Sequence, residues 1–146
     1  MKLESKVSLQ IQKTIEEVFE GIVNPEIMTK YFISESNGRL EDGKEVLWKF
    51  PEFPERYPVK EVKIESNRSV SFVWDPETVV SIRLKKMPDG STLVSVKETG
   101  KSFNETNLKW VLENTAGWSN FLACMKAYLE YKIELRRGAY DFMRKE

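Results

Sequence analysis

The chain has 146 residues, and its 23 Lys+Arg balance its 23 Asp+Glu, so its formal net charge is zero. That balance excludes a general nucleic-acid binder, since phosphate binding wants a basic excess, while 40% apolar and 12% aromatic residues exclude a disordered chain. No histidine occurs, which removes the Ser-His-Asp triad, a Cys-His pair and most zinc sites; the lone Cys124 removes an internal disulfide and fits a reducing, cytoplasmic compartment.

The length suits one domain with one core, residues 1–146, with 137–146 a tail or an extension of the last helix. Met1 to Gln12 alternates apolar and polar residues and lacks the apolar stretch of a signal peptide. No apolar run approaches the ~18 residues of a membrane span, so no membrane insertion is expected. No repeat, linker, phosphate loop or metal-ligand cluster is evident, and no cofactor is implied.

Leu3, Val7, Leu9 and Ile11 fall on one face of an alternating run, a half-buried strand. Thr14 and Glu17 form a capping box, and Ile15, Val18, Phe19 and Ile22 follow as one apolar helical stripe. Asn24-Pro25 restarts the chain in a second short helix through about Tyr31. From Ser34 to Gly100 the pattern is strand after strand. Val46, Trp48 and Phe50 share a face after an Asp42-Gly43 turn. Pro51, Pro54 and Pro58 mark a loop, because proline is excluded from a central strand. Val59–Ile64 and Val70–Trp74 make a hairpin about Ser66-Asn67-Arg68. Val80, Ile82 and Leu84 lead through Pro88-Asp89-Gly90 to a return strand with Val94 and Val96. Leu108, Val111, Leu112, Thr115, Trp118, Leu122, Met125, Leu129 and Ile133 then step by three and four, predicting one helix of roughly 30 residues, or about 45 Å. Gly117 is a candidate kink, and Lys132, Arg136 and Arg137 suit a helix C-terminus.

Helices segregated from an antiparallel meander make an α+β fold. A sheet of about six or seven strands must curl, and a long helix laid against it leaves an elongated apolar space. This order resembles the SRPBCC superfamily, the helix-grip fold of START domains and the birch-pollen allergen. Within it the chain resembles homologues of the activator of the heat-shock chaperone ATPase. The resemblance is carried by Thr14-Ile15-Glu16-Glu17-Val18-Phe19 before Asn24-Pro25, Val46-Leu47-Trp48-Lys49-Phe50 and Glu98-Thr99-Gly100. It is carried most specifically by Asn114-Thr115-Ala116-Gly117-Trp118-Ser119-Asn120-Phe121-Leu122 with Lys126-Ala127-Tyr128-Leu129-Glu130. It implies a cavity for lipids, hormones or other apolar molecules, with some relatives being enzymes. The eukaryotic activators carry a further N-terminal domain that contributes much of their chaperone contact.

By alternation Trp48, Phe50, Phe72, Trp74, Ile82 and Val96 face the long helix, Trp118, Leu122 and Met125 face them back, and Phe19 and Ile22 close one end. Such a wall suits a flat or aliphatic ligand, and the same residues also read as plain core filler. Glu98 continues the Val94, Val96 register and should point inward. There it is a polar handle for a ligand, a general base, or a strand-end residue that reaches solvent or pairs with Lys or Arg. Thr115 and Ser119 are weaker candidates for hydrogen bonds to a ligand, and Cys124 reads as a structural thiol. The basic C-terminus, with Lys126, Lys132, Arg136, Arg137, Arg144 and Lys145, reads as a solvated helix end or a surface for an acidic partner; Arg83, Lys85, Lys97 and Lys101 read as solvated. The expected function is binding of a small apolar ligand. A co-chaperone-type protein-interaction module and an enzyme using Glu98 as acid/base stand beside it. A monomer fits, as does a homodimer through an uncovered sheet edge.

Overall fold

The computed structural model describes residues 1–145. Strand β1 (Lys2–Ile11) is followed by helices α1 (Ile15–Val23) and α2 (Pro25–Met28), then strands β2 (Glu35–Ser36), β3 (Val46–Lys49), β4 (Arg56–Glu65), β5 (Ser69–Val73), β6 (Val79–Lys86) and β7 (Thr92–Ser102). Helix α3 (Glu105–Tyr131) and a short 3-10 turn, Asp141–Met143, complete the chain. The seven strands form one antiparallel sheet in the order β1-β7-β6-β5-β4-β3-β2. The α+β helix-grip architecture is therefore as expected from the sequence.

Local chemistry sets the element ends. The Thr14 hydroxyl accepts from the Glu17 amide at 3.3 Å and starts α1. Asn24 ends α1 with its own amide and starts α2 with its side chain, which accepts from the Glu26 amide at 3.0 Å. Asn104 caps α3 by accepting from the Asn107 amide at 2.8 Å. The other end of α3 stops at Lys132, which takes the left-handed conformation with φ 58°. The amide of Lys132 then bonds Tyr128 O and that of Ile133 bonds Ala127 O, which satisfies the last carbonyls.

Alternation along the strands puts Val46, Trp48, Phe72, Val80, Ile82, Leu84, Val94 and Val96 in the core, facing Trp118, Phe121, Leu122 and Met125 of α3. Helix α1 adds Val18, Phe19, Ile22 and Val23 at one end. Lys126 Nζ donates to Gln10 O and pairs with Glu130, whose carboxylate accepts from the Gln12 amide, so α3 is tied to the end of β1.

Five details differ from the sequence reading. Helix α3 has 27 residues rather than about 30, because Lys132 breaks it, and it runs through Gly117 without interruption. Leu108, Leu112 and Ile133 are exposed: the first two lie beyond the part of the helix that the core covers, and Ile133 lies past its end. Helix α2 stops at Met28, and single turns carry the chain on to Phe32. Pro58 belongs to β4, opposite Leu47 of β3. It is tolerated there because β5 joins β4 only from Lys60 onward, leaving that stretch an open edge.

Candidate functional site

The site grows from Glu98. On β7 it lies opposite Val80 of β6 and Ser5 of β1, and its side chain points inward with 1% exposure. Its Oε2 accepts from Trp74 Nε1 at 3.0 Å and from the Thr78 hydroxyl at 2.7 Å; its Oε1 accepts from Trp118 Nε1 at 2.9 Å. Thus it neither reaches solvent nor pairs with Lys or Arg, correcting that reading. The reason is tertiary: three neutral donors from separate stretches of chain meet its two oxygens inside the fold, so the buried group is hydrogen-bonded.

Gly100 makes part of this geometry available. Its φ is 144°, and a Cβ built there would lie 2.0 Å from Glu77 O and 3.0 Å from Thr78 Cα. Only glycine lets the backbone that enters β6 come so close to β7, and that approach delivers the Thr78 hydroxyl to Glu98.

Beside the carboxylate the indoles of Trp74 and Trp118 stack, centroids 5.2 Å apart and planes 27° from parallel. Phe32 joins them at the centre of an aromatic cluster, 4.7 Å from Phe121, 5.1 Å from Phe50 and 5.8 Å from Trp48 between centroids. Next to this cluster a cleft of about 780 Å³ opens between α3, the sheet and the C-terminal segment. From α3 it is lined by Trp110, Asn114, Gly117, Trp118 and Phe121, from the sheet side by Phe50, Tyr57, Trp74 and Glu98, and from the C-terminal segment by Arg136 and Tyr140.

Of the twelve residues singled out from sequence, Phe50, Trp74, Glu98 and Trp118 are on the cleft wall. Phe19, Ile22, Trp48, Phe72, Ile82, Val96, Leu122 and Met125 are instead buried in the core. The four on strands point inward as the alternation requires, the four on helices belong to the apolar stripes, and none of the eight borders the cleft. Thr115 donates to Val111 O at 2.6 Å, its own helix backbone, and Ser119 is exposed; neither lines the cleft. Burial pushes the Cys124 thiol up from its ordinary range, opposed more weakly by the Arg136 charge and the Asn120 hydrogen bond.

The sequence reading missed Phe32, Glu52, Trp110, Arg136 and Tyr140. Trp110, Asn114, Gly117 and Phe121 step by four, three and four along α3, a second stripe beside the one first noticed. Arg136 carries no such signal. It is not a solvated helix end: the turn at Lys132 folds it back, and it donates to Glu52 through two nitrogens at 2.9 and 3.2 Å. In that pair the Glu52 side chain is 2% exposed and the Arg136 side chain 13%. The guanidinium also lies 5.7 Å from the Phe50 ring and 4.9 Å from the Tyr140 ring. Lys101 is likewise not solvated; it pairs with Asp75 at 3.0 Å and Glu77 at 3.6 Å and sits 5.3 Å from the Trp110 ring.

Among the described residues no cluster of acidic or cysteine side chains could hold a metal ion, and no helix is long and apolar enough to cross a membrane. Residues 12–130 match the model of the family described as Activator of Hsp90 ATPase homolog 1-like protein. The chain belongs to this family. Its membership agrees with the resemblance read from the Gly-Trp segment of α3, which contributes Gly117 and Trp118 to the cleft. Protein SSP2350 from Staphylococcus saprophyticus is similar in structure, with a TM-score of 0.80, 27% identity, and coverage of 90% of this chain and 94% of that one. Protein BH1534 from Bacillus halodurans superposes with a TM-score of 0.72 at 20% identity, covering 88% of this chain and 98% of its own. The Aha1 dimer from Colwellia psychrerythraea does so with a TM-score of 0.71 at 20% identity, covering 88% and 97%. These last two share the fold. No curated protein matches the sequence.

Proposed function

We propose that this member of the Activator of Hsp90 ATPase homolog 1-like family binds a small apolar molecule, aromatic or lipid-like, in the cleft between α3 and the sheet. The observation that carries the reading is the cleft itself: about 780 Å³ with tryptophan, phenylalanine and tyrosine on its walls. Small-molecule sites of roughly 300–1,000 Å³ are apolar concavities with a few convergent polar groups. Phe50, Trp74, Trp118 and Glu98 contact the ligand, joined by Phe32 and Trp110. The ligand is bound rather than transformed. Glu98 orients it with the one acceptor position that its three hydrogen bonds leave on Oε1. The chain works as a single domain in the cytoplasm, where the lone Cys124 stays reduced.

Native mass spectrometry of protein purified without added ligand, followed by denaturing extraction, tests this. A discrete co-purifying apolar molecule supports it. A bare protein that no lipid or aromatic compound stabilises in a thermal-shift screen overturns it, because a ligand of the folded state must raise apparent stability. A second reading, docking on a heat-shock chaperone, is supported by the family membership alone. Stimulation of a chaperone ATPase by the bare protein would favour it.

A further inference from the structure

The charges around the cleft are lopsided. Glu52, Asp75, Glu98 and Glu113 line it, against the single guanidinium of Arg136. Two of these carboxylates are already matched: Glu52 holds Arg136 through both oxygens, and Asp75 holds Lys101 at 3.0 Å. Glu113 has only Lys109 at 3.9 Å, a pair in which both side chains are more than two-thirds exposed and which solvent screens. Glu98 is the deepest of the four, and no Lys or Arg pairs with it among the described residues. Its partners are two indole N–H groups, which can only donate, one to each oxygen, and the Thr78 hydroxyl. All three partners are neutral, so the position beside this carboxyl that a counter-charge would take is not filled by a side chain of the described residues.

The rings beside it favour the same sign. A cation within about 6 Å of an indole centroid is attracted by the ring face, and tryptophan is the strongest of the aromatic partners. The indoles of Trp74 and Trp118 each donate their N–H to Glu98, which fixes both rings beside the carboxyl. An anionic ligand has no equivalent handle, since Arg136 would first have to leave Glu52.

Resting on the reading of the cleft as an apolar site, we infer that it selects an apolar ligand carrying a cation, an alkylated or quaternary ammonium, with Glu98 as the buried counter-charge. The ammonium lies at the stretch of cleft wall that Trp74, Trp118 and Glu98 share, and the apolar body extends along Phe50 and Trp110. This assigns Glu98 a role in choosing ligands by charge, beyond orienting them.

The test is a charge series of one shape. Benzyltrimethylammonium, its neutral carbon isostere neopentylbenzene and the anionic benzylsulfonate are titrated into the intact protein, read by tryptophan fluorescence quenching and calorimetry. The cation is expected to bind at least about tenfold more tightly than the neutral isostere, about 1.4 kcal/mol, and the anion more weakly than either. In Glu98→Gln that preference should shrink to within about twofold. Should this variant fail to fold, as judged by circular dichroism, the series on the unaltered protein still decides. Equal or tighter binding of the neutral isostere overturns the charge assignment while leaving the apolar reading standing. No binding of any of the three overturns both.

Discussion

Gly117 offers a test in which stability and function separate. It is the thirteenth residue of α3, deep in a 27-residue helix, and a Cβ built on it would meet nothing within 4 Å. Glycine inside a helix costs about 0.8–1.0 kcal/mol relative to alanine, because its backbone has more freedom to lose. Nothing in the surroundings offsets that difference, so Gly117→Ala should stabilise the protein by nearly the whole amount. For a domain of this size, 1 kcal/mol moves Tm by about 2–4 °C. Thermal unfolding followed by far-UV circular dichroism measures it. An unchanged or lowered Tm would instead mean that the helix is irregular at Gly117 or that the space beside it is filled. Gly117→Phe extends the test. Its ring projects into the cleft, so the variant should fold at least as stably as the parent while apolar ligands are shut out.

Four further outcomes follow from the same geometry. Gly100→Ala combines a forbidden φ with a backbone overlap, 2.0 Å from Glu77 O, and should destabilise by about 3 kcal/mol or more in chemical unfolding. Glu52→Ala leaves Arg136 without its carboxylate; a loss of up to about 3 kcal/mol is expected, with faster amide hydrogen exchange across residues 133–144 as the specific signature. Burial pushes Glu130 up, but the Lys126 hydrogen bond, the Gln12 amide and the Lys126 and Lys13 charges outweigh it, so its carboxyl is held below the ordinary value of 4.5. Its ionised form therefore adds stability above that value, lost as pH falls through the lower folded value. The Tm advantage over Glu130→Gln should be full at neutral pH and vanish in acid, and an advantage independent of pH would contradict it. Cys124, 1% exposed and with its thiol pushed up by burial, should resist iodoacetamide until the protein unfolds.

Much of the fold was legible because short-range rules act alone there. The capping residues Thr14 and Asn24, the turn at Asp89-Gly90 and the alternation from Val46 to Val96 each fix local geometry whatever the rest of the chain does. Glu98 was legible for the same reason, since the strand period turns it inward. Its partners were not: Trp74, Thr78 and Trp118 come from three separate stretches, and only tertiary structure joins them. The cleft was half visible. Aromatic residues on inward faces were expected, but periodicity alone cannot separate a residue that fills the core from one that borders a space, and so Trp48 and Trp74 looked equivalent. The Arg136–Glu52 pair lay outside any pattern, because it depends on the chain turning back at Lys132, a left-handed residue that is not glycine.

An apolar molecule that enters the cleft between α3 and the sheet must disturb the indoles on its walls. The four tryptophans give a direct readout, since each indole N–H is one resolved signal in a nitrogen-15 correlation spectrum. Trp74, Trp110 and Trp118 line the cleft, whereas Trp48 is 2% exposed in the core behind them. Titration with naphthalene should shift the three cleft signals along one saturable curve and leave the Trp48 signal nearly still. Signals that do not move, or that move only for residues away from the cleft, would mean that no apolar molecule binds there.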